Sequence, residues 1–298
     1  MQQAALQTHM PMEGRTLRER LFKQAVDVAA RLKKQGITPS LHVVLVGEDP
    51  ASEIYVDAKM RAAEKIGINA VLKKMPSSTT QMELDAALEG LSKDDAVHGI
   101  LLQLPLPKGL KKRQALNKID PTKDVDGLTT HNMGVLVARE LGGMRPCTPM
   151  GIMRLLRSYD VEFMGKNAVV IGRSQLVGRP VAELLAQAGA TVTTCQRHTA
   201  DIAEHTQQAD IVIVATGVPS LITGDMLKPG AAVVDVGITR LDNGDVVGDC
   251  DASCKAVAGL LSPVPGGVGP MTVATLMTNT LDAALKQNGQ PAHKWELK

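Results

Sequence analysis

The chain has 298 residues, with 33 basic and 31 acidic side chains and a formal net charge of +2. That length accommodates two α/β lobes, each with its own core, and the near-balanced charge exerts no general pull toward nucleic acid or an anionic membrane. No apolar stretch approaches the ~20 residues of a membrane span. The N-terminal MQQAALQTHMPMEGR lacks the basic-then-apolar plan of a secretory signal. Four scattered cysteines, Cys147, Cys195, Cys250 and Cys254, fit a reduced cytoplasm. Cys250 and Cys254 have no companion pair at zinc spacing, so they read as packing residues and no metal is expected.

Leu17, Leu21, Ala25, Val28 and Leu32 recur at helical spacing and predict an amphipathic helix ending near Gly36. LHVVLVG (41–47) reads as a buried strand, Ala51 to Ile66 as a helix closed by Gly67, and Ala70–Leu72 as a further strand. Thr80 and Glu83 form a capping box for a helix through Leu91. Val97 to Leu104 is another strand, stopped by Pro105 and Pro107. This β-α-β-α-β order is that of a parallel sheet. From Gly127 to Pro149 the pattern loosens into a linker or hinge, and GIMRLLRSY opens a connecting helix. A second alternating block follows. AVVIG (168–172), ATVTTC (190–195), ADIVIVATG (209–217) and AAVVDVG (231–237) read as strands, with a helix over Arg179–Ala188, which together predict a doubly wound fold. PVPGGVGPMT (263–272) carries too many prolines and glycines for a sheet strand and reads as a loop, suited to close approach of a planar ligand or to a tight turn between domains. The last helix, Thr272 to Lys286, places Val273, Leu276, Leu281 and Leu285 near one face. The expected fold is α/β and two-lobed. Residues 1–150, with a C-terminal helix (274–298) packing back on them, form one domain, and 151–273 form a Rossmann-like second domain.

GRSQLVGRP (172–180) lies between a strand and a helix, where a dinucleotide pyrophosphate sits on helix N-terminal amides. It departs from G-x-G-x-x-G, because Ser174 replaces the second glycine and the later glycine is Gly178. The following strand ends Cys195-Gln196-Arg197-His198, without the acid that binds the ribose 2′-hydroxyl of NAD. An acid would repel a 2′-phosphate and arginine attracts one. Arg173 and Arg197 therefore favour NADP, although Arg197 also reads as a solvated surface charge.

Upstream of this loop, Ser52, Tyr55 and Lys59 are spaced i, i+3 and i+7 and share one helical face. Because Lys59 precedes Gly172, its chemistry belongs to a lobe separate from the cofactor. Aromatic residues make up only 2% of the chain, with two tyrosines, so Tyr55 is not routine packing in an otherwise aliphatic core. Its ring could stack on a bicyclic substrate while its hydroxyl hydrogen-bonds. Lys59 could exchange a proton if burial lowers it from the reference ~10.4, and an isolated surface lysine is the alternative. Gln103, at the carboxyl end of VHGILLQL, can hold the lysine amine. KDVDG (123–127) offers Asp124 and Asp126, one as an acceptor pair for an aminopyrimidine edge and the other as a turn residue.

Taken together, LVGEDPASEIYVDAK, GILLQLPLP, KDVDGL, RPCTPMGI, VVIGRSQLVGRP, DVGI and PVPGGVGPMT, in that order from about Gly36 to Thr280, resemble the bifunctional 5,10-methylenetetrahydrofolate dehydrogenase/5,10-methenyltetrahydrofolate cyclohydrolase family. The resemblance implies that Lys59 is the central acid/base residue and that Tyr55 stacks on and orients the folate. Gln103 would tune Lys59, Asp126 would anchor the pterin, and Ser52 matches the family's serine on the same helix. Arg173 and Ser174 would meet the NADP phosphates. Ile238 and the PGGVGPMT loop, with Pro265 and Gly266, would flank nicotinamide and substrate. It also implies a cytosolic homodimer with both reactions in one cleft. Two departures stand out. Where the family often has Cys-His-Ser-x-Thr, this chain has Cys195-Gln196-Arg197-His198-Thr199, and GDCDA (248–252) replaces a more usual Gly-Asp-Val-Asp-Phe. A shikimate-type NADP dehydrogenase, also two-lobed, lacks PGGVGPMT and the Tyr55–Lys59 arrangement.

Overall fold

The computed structural model describes residues 9–298. Residues 1–8, which open the stretch read above for a secretory signal, lie outside the described residues. Strand β1 (Met10–Pro11) precedes helix α1 (Gly14–Lys34), whose Leu17, Leu21, Ala25, Val28 and Leu32 are all buried, as a 3.6-residue apolar stripe requires. Strand β2 (Ser40–Val46) leads to α2 (Pro50–Ile66). Asp49 caps α2 by accepting from Ser52 N at 2.8 Å, Pro50 occupies the first turn, and Gly67 ends the helix in the left-handed conformation at φ 90°. Strand β3 (Asn69–Met75), α3 (Gln81–Lys93) and β4 (Gly99–Leu102) follow. The capping box of α3 is complete. Glu83 N donates to Thr80 Oγ1 at 3.3 Å and Thr80 N to Glu83 Oε2 at 2.8 Å, an arrangement worth about 1 kcal/mol.

The segment expected to be a linker contains a helix. After α4 (Lys112–Leu116), α5 (Thr130–Val137) is capped by Thr129, which accepts from Asn132 N. Next come α6 (Cys147–Ser158), β5 (Asn167–Ile171), α7 (Gly178–Gln187), β6 (Thr191–Cys195), α8 (Ala203–Thr206), β7 (Ile211–Val214) and β8 (Ala232–Asp235). A short hairpin, β9 (Thr239–Arg240) with β10 (Val246–Val247), precedes β11 (Leu260–Leu261) and α9 (Val268–Gln287). Helices α6 and α9 begin earlier than the sequence suggests. Their prolines, Pro149 and Pro270, fall in the first turn, where an N–H has no intrahelical acceptor and a ring does no harm. PVPGGVGPMT is therefore loop only to Gly267, and the rest is helix. Several strands are shorter than their apolar runs, because pairing covers only part of each run: β4 pairs with β2 from Gly99 to Leu102.

The chain divides into two compact units. One comprises Glu19–Cys147 with Val273–Glu296, so most of α9 belongs to it. Its sheet is parallel in the order β3-β2-β4, and β2 is buried along almost its whole length. Val44, Val46, Leu84, Leu88, Ile100 and Leu102 build a core on one side. The other unit contains Thr148–Thr272 and a parallel six-stranded sheet in the order β1-β11-β8-β7-β5-β6. The described residues up to Arg18 group with this unit, not with the first as the 1–150 boundary assumed. The reason is local: β1 pairs with β11, and Gly14 N donates to Gly266 O at 3.0 Å. A two-residue strand carries too little pattern to be read from sequence. Val169, Ile171, Val212, Val214, Val233 and Leu261 anchor the core of this unit. Among the described residues, no helix is long and apolar enough to cross a membrane.

Candidate active site

In the unit built on β3-β2-β4, α2 presents Tyr55, 43% exposed, and Lys59 one turn further along, while Ser52 is buried. Lys59 Nζ donates to Gln103 Oε1 at 2.9 Å. Gln103 follows β4 directly. Its backbone N donates to Val44 O at 2.9 Å and its side-chain Nε2 to Leu104 O at 2.6 Å. That second bond fixes the amide so that its oxygen, not its nitrogen, faces the lysine.

The two acids of KDVDG separate cleanly. Asp124 is buried, and its Oδ2 accepts from Thr129 N at 2.8 Å and Asn132 Nδ2 at 2.9 Å, which makes it the residue that pins the turn before α5. Asp126 is half-buried and interacts electrostatically with Lys59. Burial pushes the Asp126 carboxyl up to about 6, with Lys59 opposing the rise and Asp124 adding to it. Burial also pulls the Lys59 ammonium below its ordinary value, against the charge of the Asp126 carboxylate. The cation and carboxylate are each moved toward neutral pH by loss of water, the pattern of groups equipped to exchange protons.

Two residues in this cluster were not singled out from sequence for a role in it. Cys147 is buried beside Asp126, its thiol donates to Val125 O at 3.2 Å, and burial raises its ordinary value. Asn279, on α9, donates to Val125 O at 2.9 Å and Arg145 O at 3.1 Å. The sequence around Asn279, with Thr275, Thr278, Thr280 and Asp282 close by, is already rich in polar residues, so the amide carried no distinguishing signal.

The other unit brings GRSQLVGRP to the carboxyl end of β5. Gly172 has φ 114°, and a Cβ there would lie 2.2 Å from Ala215 O. One on Gly178 would lie 2.0 Å from Gly172 O. Only glycine fits at both points, so the turn approaches its neighbours as a dinucleotide-binding turn must. Ser174 Oγ accepts from Val177 N at 3.1 Å and Gly178 N at 3.4 Å at the start of α7. Arg173 reaches the end of β6, donating to Gln196 Oε1 at 3.0 Å, while Arg197 Nε donates to His198 Nε2 at 3.0 Å. Arg173, Arg197 and His198 are exposed, and no carboxylate stands at this strand end between Cys195 and Ala200. The chemistry of this corner therefore fits a dinucleotide bearing a 2′-phosphate. Ile238, 50% exposed, follows β8, and Gly266, at φ 122°, precedes α9 with Pro265 exposed beside it. Among the described residues, no group of three or more His, Cys, Asp or Glu side chains is placed to hold a metal ion.

A half-buried lysine beside a carboxylate in one unit, and in the other a glycine turn of dinucleotide-binding form, fit a two-part oxidoreductase. Comparison with known proteins makes the assignment specific. Residues 12–126 match the tetrahydrofolate dehydrogenase/cyclohydrolase catalytic domain, and residues 146–288 match the NAD(P)-binding domain of the same family. The chain belongs to that family. It is 50% identical over 274 residues to the bifunctional protein FolD of Bordetella avium (strain 197N), covering 92% of this chain and 96% of that protein. Its fold is similar to the bifunctional FolD methylenetetrahydrofolate dehydrogenase/cyclohydrolase of Campylobacter jejuni, with TM-score 0.91, 44% identity and coverage of 93% and 98%. It is also similar to the N5,N10-methylenetetrahydrofolate dehydrogenase-cyclohydrolase of Trypanosoma brucei, whose structure holds NADP and an inhibitor, with TM-score 0.89, 38% identity and coverage of 94% and 98%.

Proposed function

We propose that the protein oxidises 5,10-methylenetetrahydrofolate to 5,10-methenyltetrahydrofolate with NADP+ and hydrolyses that product to 10-formyltetrahydrofolate. The observation that carries this reading is the Lys59–Gln103 hydrogen bond beside Asp126, within a chain of this family.

The residues divide the work. Tyr55 stacks on the folate and orients it, with Ser52 on the same helical face. Asp126 accepts from the aminopyrimidine edge, for which a carboxylate's paired oxygens are suited. In the oxidation, NADP+ when bound supplies the hydride acceptor. The chain's own contribution is alignment, with Pro265, Gly266 and Ile238 lining the reacting end. Gly172, Arg173 and Ser174 hold the phosphates, and Arg197 adds positive charge for the 2′-phosphate where an NAD enzyme would place an acid.

The hydrolysis is where Lys59 acts. Water adds to the carbon of the methenyl cation, and its departing proton passes to the Lys59 amine. The carbon–N5 bond then breaks as the hydroxyl oxygen forms the formyl C=O, Lys59 returns its proton to N5, and the hydroxyl proton leaves to solvent. The sum is methenyl cation plus water giving formyl product plus one proton. Gln103 keeps the amine aimed at this position in both protonation states. We further propose that the protein acts in the cytoplasm as a homodimer.

A spectrophotometric assay of methylenetetrahydrofolate with NADP+ or NAD+, followed by direct hydrolysis of methenyltetrahydrofolate, tests substrate, cofactor and both activities. NADP+-dependent oxidation with ready hydrolysis is expected. Absence of oxidation with either nucleotide would overturn the reading.

A further inference from the structure

Asp235 and Asp249 are buried carboxylates that none of the steps above uses, 4% and 0% exposed. Asp249 Oδ2 accepts from Thr216 N at 2.7 Å, Thr216 Oγ1 at 2.8 Å and Gly217 N at 3.0 Å. The Asp249 N–H donates to Asp235 Oδ1 at 2.9 Å, which also accepts from Gly237 N at 3.0 Å. Cys250 N donates to Asp235 Oδ2 at 2.8 Å, and Asp235 N donates to Ser262 Oγ at 2.8 Å. The chain segments tied together are those that follow β7, β8 and β11. In an open parallel sheet, this is the edge where ligands gather.

The fit around the two carboxylates is tight. A Cβ on Gly237 would stand 2.1 Å from Asp249 Oδ1, and one on Gly248 would stand 2.0 Å from Asp235 Oδ2. Asp249 Oδ1 is itself buried, with no hydrogen-bond partner among the described residues. A buried acceptor left unmade is a cost that a turn aspartate in water would not bear. The site retains an acid all the same, and the three donors on its other oxygen all come from the Thr216–Gly217 turn.

We propose that Asp249 is a positioning residue for the nicotinamide end of the bound dinucleotide. Its carboxylate fixes Thr216–Gly217 directly, and its amide, through Asp235, fixes Gly237 and hence Ile238. The inference rests on the reading above that a dinucleotide takes the hydride at this sheet edge. It separates the two activities: oxidation depends on Asp249, whereas hydrolysis, which draws on Lys59 in the other unit, does not.

The experiment compares wild type with Asp249→Ala, Asp249→Asn and Thr216→Val. It reads NADPH binding by fluorescence titration, hydride transfer at saturating NADP+, and hydrolysis of methenyltetrahydrofolate supplied directly. In Asp249→Ala, dinucleotide affinity and the hydride rate should each fall about tenfold or more, since small misplacements of reacting groups are costly, while hydrolysis stays within about twofold. Asp249→Asn keeps one acceptor oxygen for the three donors and should recover most of the loss. Thr216→Val keeps the carboxylate, deletes one donor, and should weaken NADPH binding by about two- to threefold. Wild-type binding and hydride rates in Asp249→Ala, or hydrolysis falling in step with them, would overturn the proposal. If Asp249→Ala does not fold, unaltered NADPH binding in Thr216→Val overturns it equally. The titration needs no folate, so a wild type that binds NADPH but oxidises no folate defeats the proposed reaction and leaves the Asp249 comparison intact.

Discussion

The two units each bury a polar cluster, and the clusters are built on opposite principles. Around Lys59, a cation and a carboxylate share a half-dry space with a single side-chain amide between strand and helix. Burial drives both toward neutrality, and among the described residues one hydrogen bond holds the amine. Around Asp249, two carboxylates take six donors, five of them backbone amides. The first arrangement leaves protons free to move, and the second leaves loops unable to. The Lys59 cluster rests on side-chain contacts with an opposite charge close by, whereas the Asp235–Asp249 cluster, even with Asp249 Oδ1 unpartnered among the described residues, is fastened to the main chain.

The largest test of that contrast is Lys59→Met. Removing the proton carrier should lower hydrolysis by about 10²–10⁴-fold, the usual worth of general acid–base catalysis, while NADPH titration stays at wild-type values. Undiminished hydrolysis by a folded variant would break the assignment of chemistry to this cluster. Gly237→Ala attacks the other side. Its methyl group would meet Asp249 Oδ1 at 2.1 Å and Asp249 N at 2.7 Å, so backbone must shift and stability should fall by about 1–3 kcal/mol in denaturant melts. An unchanged melt would mean that the loops yield easily and fasten nothing.

A pH series sharpens the role of Asp126. Its carboxyl is raised to about 6, so it is ionised above that value and gains a proton below it. Losing the carboxylate removes the acceptor pair for the pterin edge, and the KM for folate should climb as pH falls through about 6. In Asp126→Asn, KM should be raised throughout, by about tenfold, and flat across that window. A wild-type KM indifferent to pH would remove Asp126 from substrate recognition. The smallest effect is expected at Arg197, which is exposed and shares its hydrogen bond with His198. Arg197→Ser should weaken NADP+ binding by only about two- to fivefold and leave NAD+ binding unmoved. Equal loss for both nucleotides would show that it does not read the 2′-phosphate.

The sequence yielded the pieces that obey local rules. Ser52, Tyr55 and Lys59 fell on one helical face because 3.6 residues per turn is independent of the rest of the fold. The capping box at Thr80 and the helix end at Gly67 were equally local. Gln103 and Asp126 were legible through strand-end position and resemblance. Cys147 and Asn279 were not, because their hydrogen bonds reach from 22 to 154 residues along the chain. Asp249 looked like one acid in a turn, GDCDA, whose partners at Thr216 and Gly217 no spacing rule connects to it. Pro149 and Pro270 misled in the ordinary way, since a proline near a helix start reads the same as one that breaks a helix.

Neither unit is a continuous run of chain. The six-stranded sheet gains its first strand from Met10–Pro11 and that strand's partner from Leu260–Leu261. The other unit waits for Asn279 on the final helix to close the carbonyls of Val125 and Arg145. On the ribosome, the β3-β2-β4 sheet is fully synthesised by Leu102, yet the six-stranded sheet stays unfinished until Leu260–Leu261 and the other unit until Asn279. A chain that stops before Leu260 therefore leaves two incomplete units, not one sound domain and one lost one.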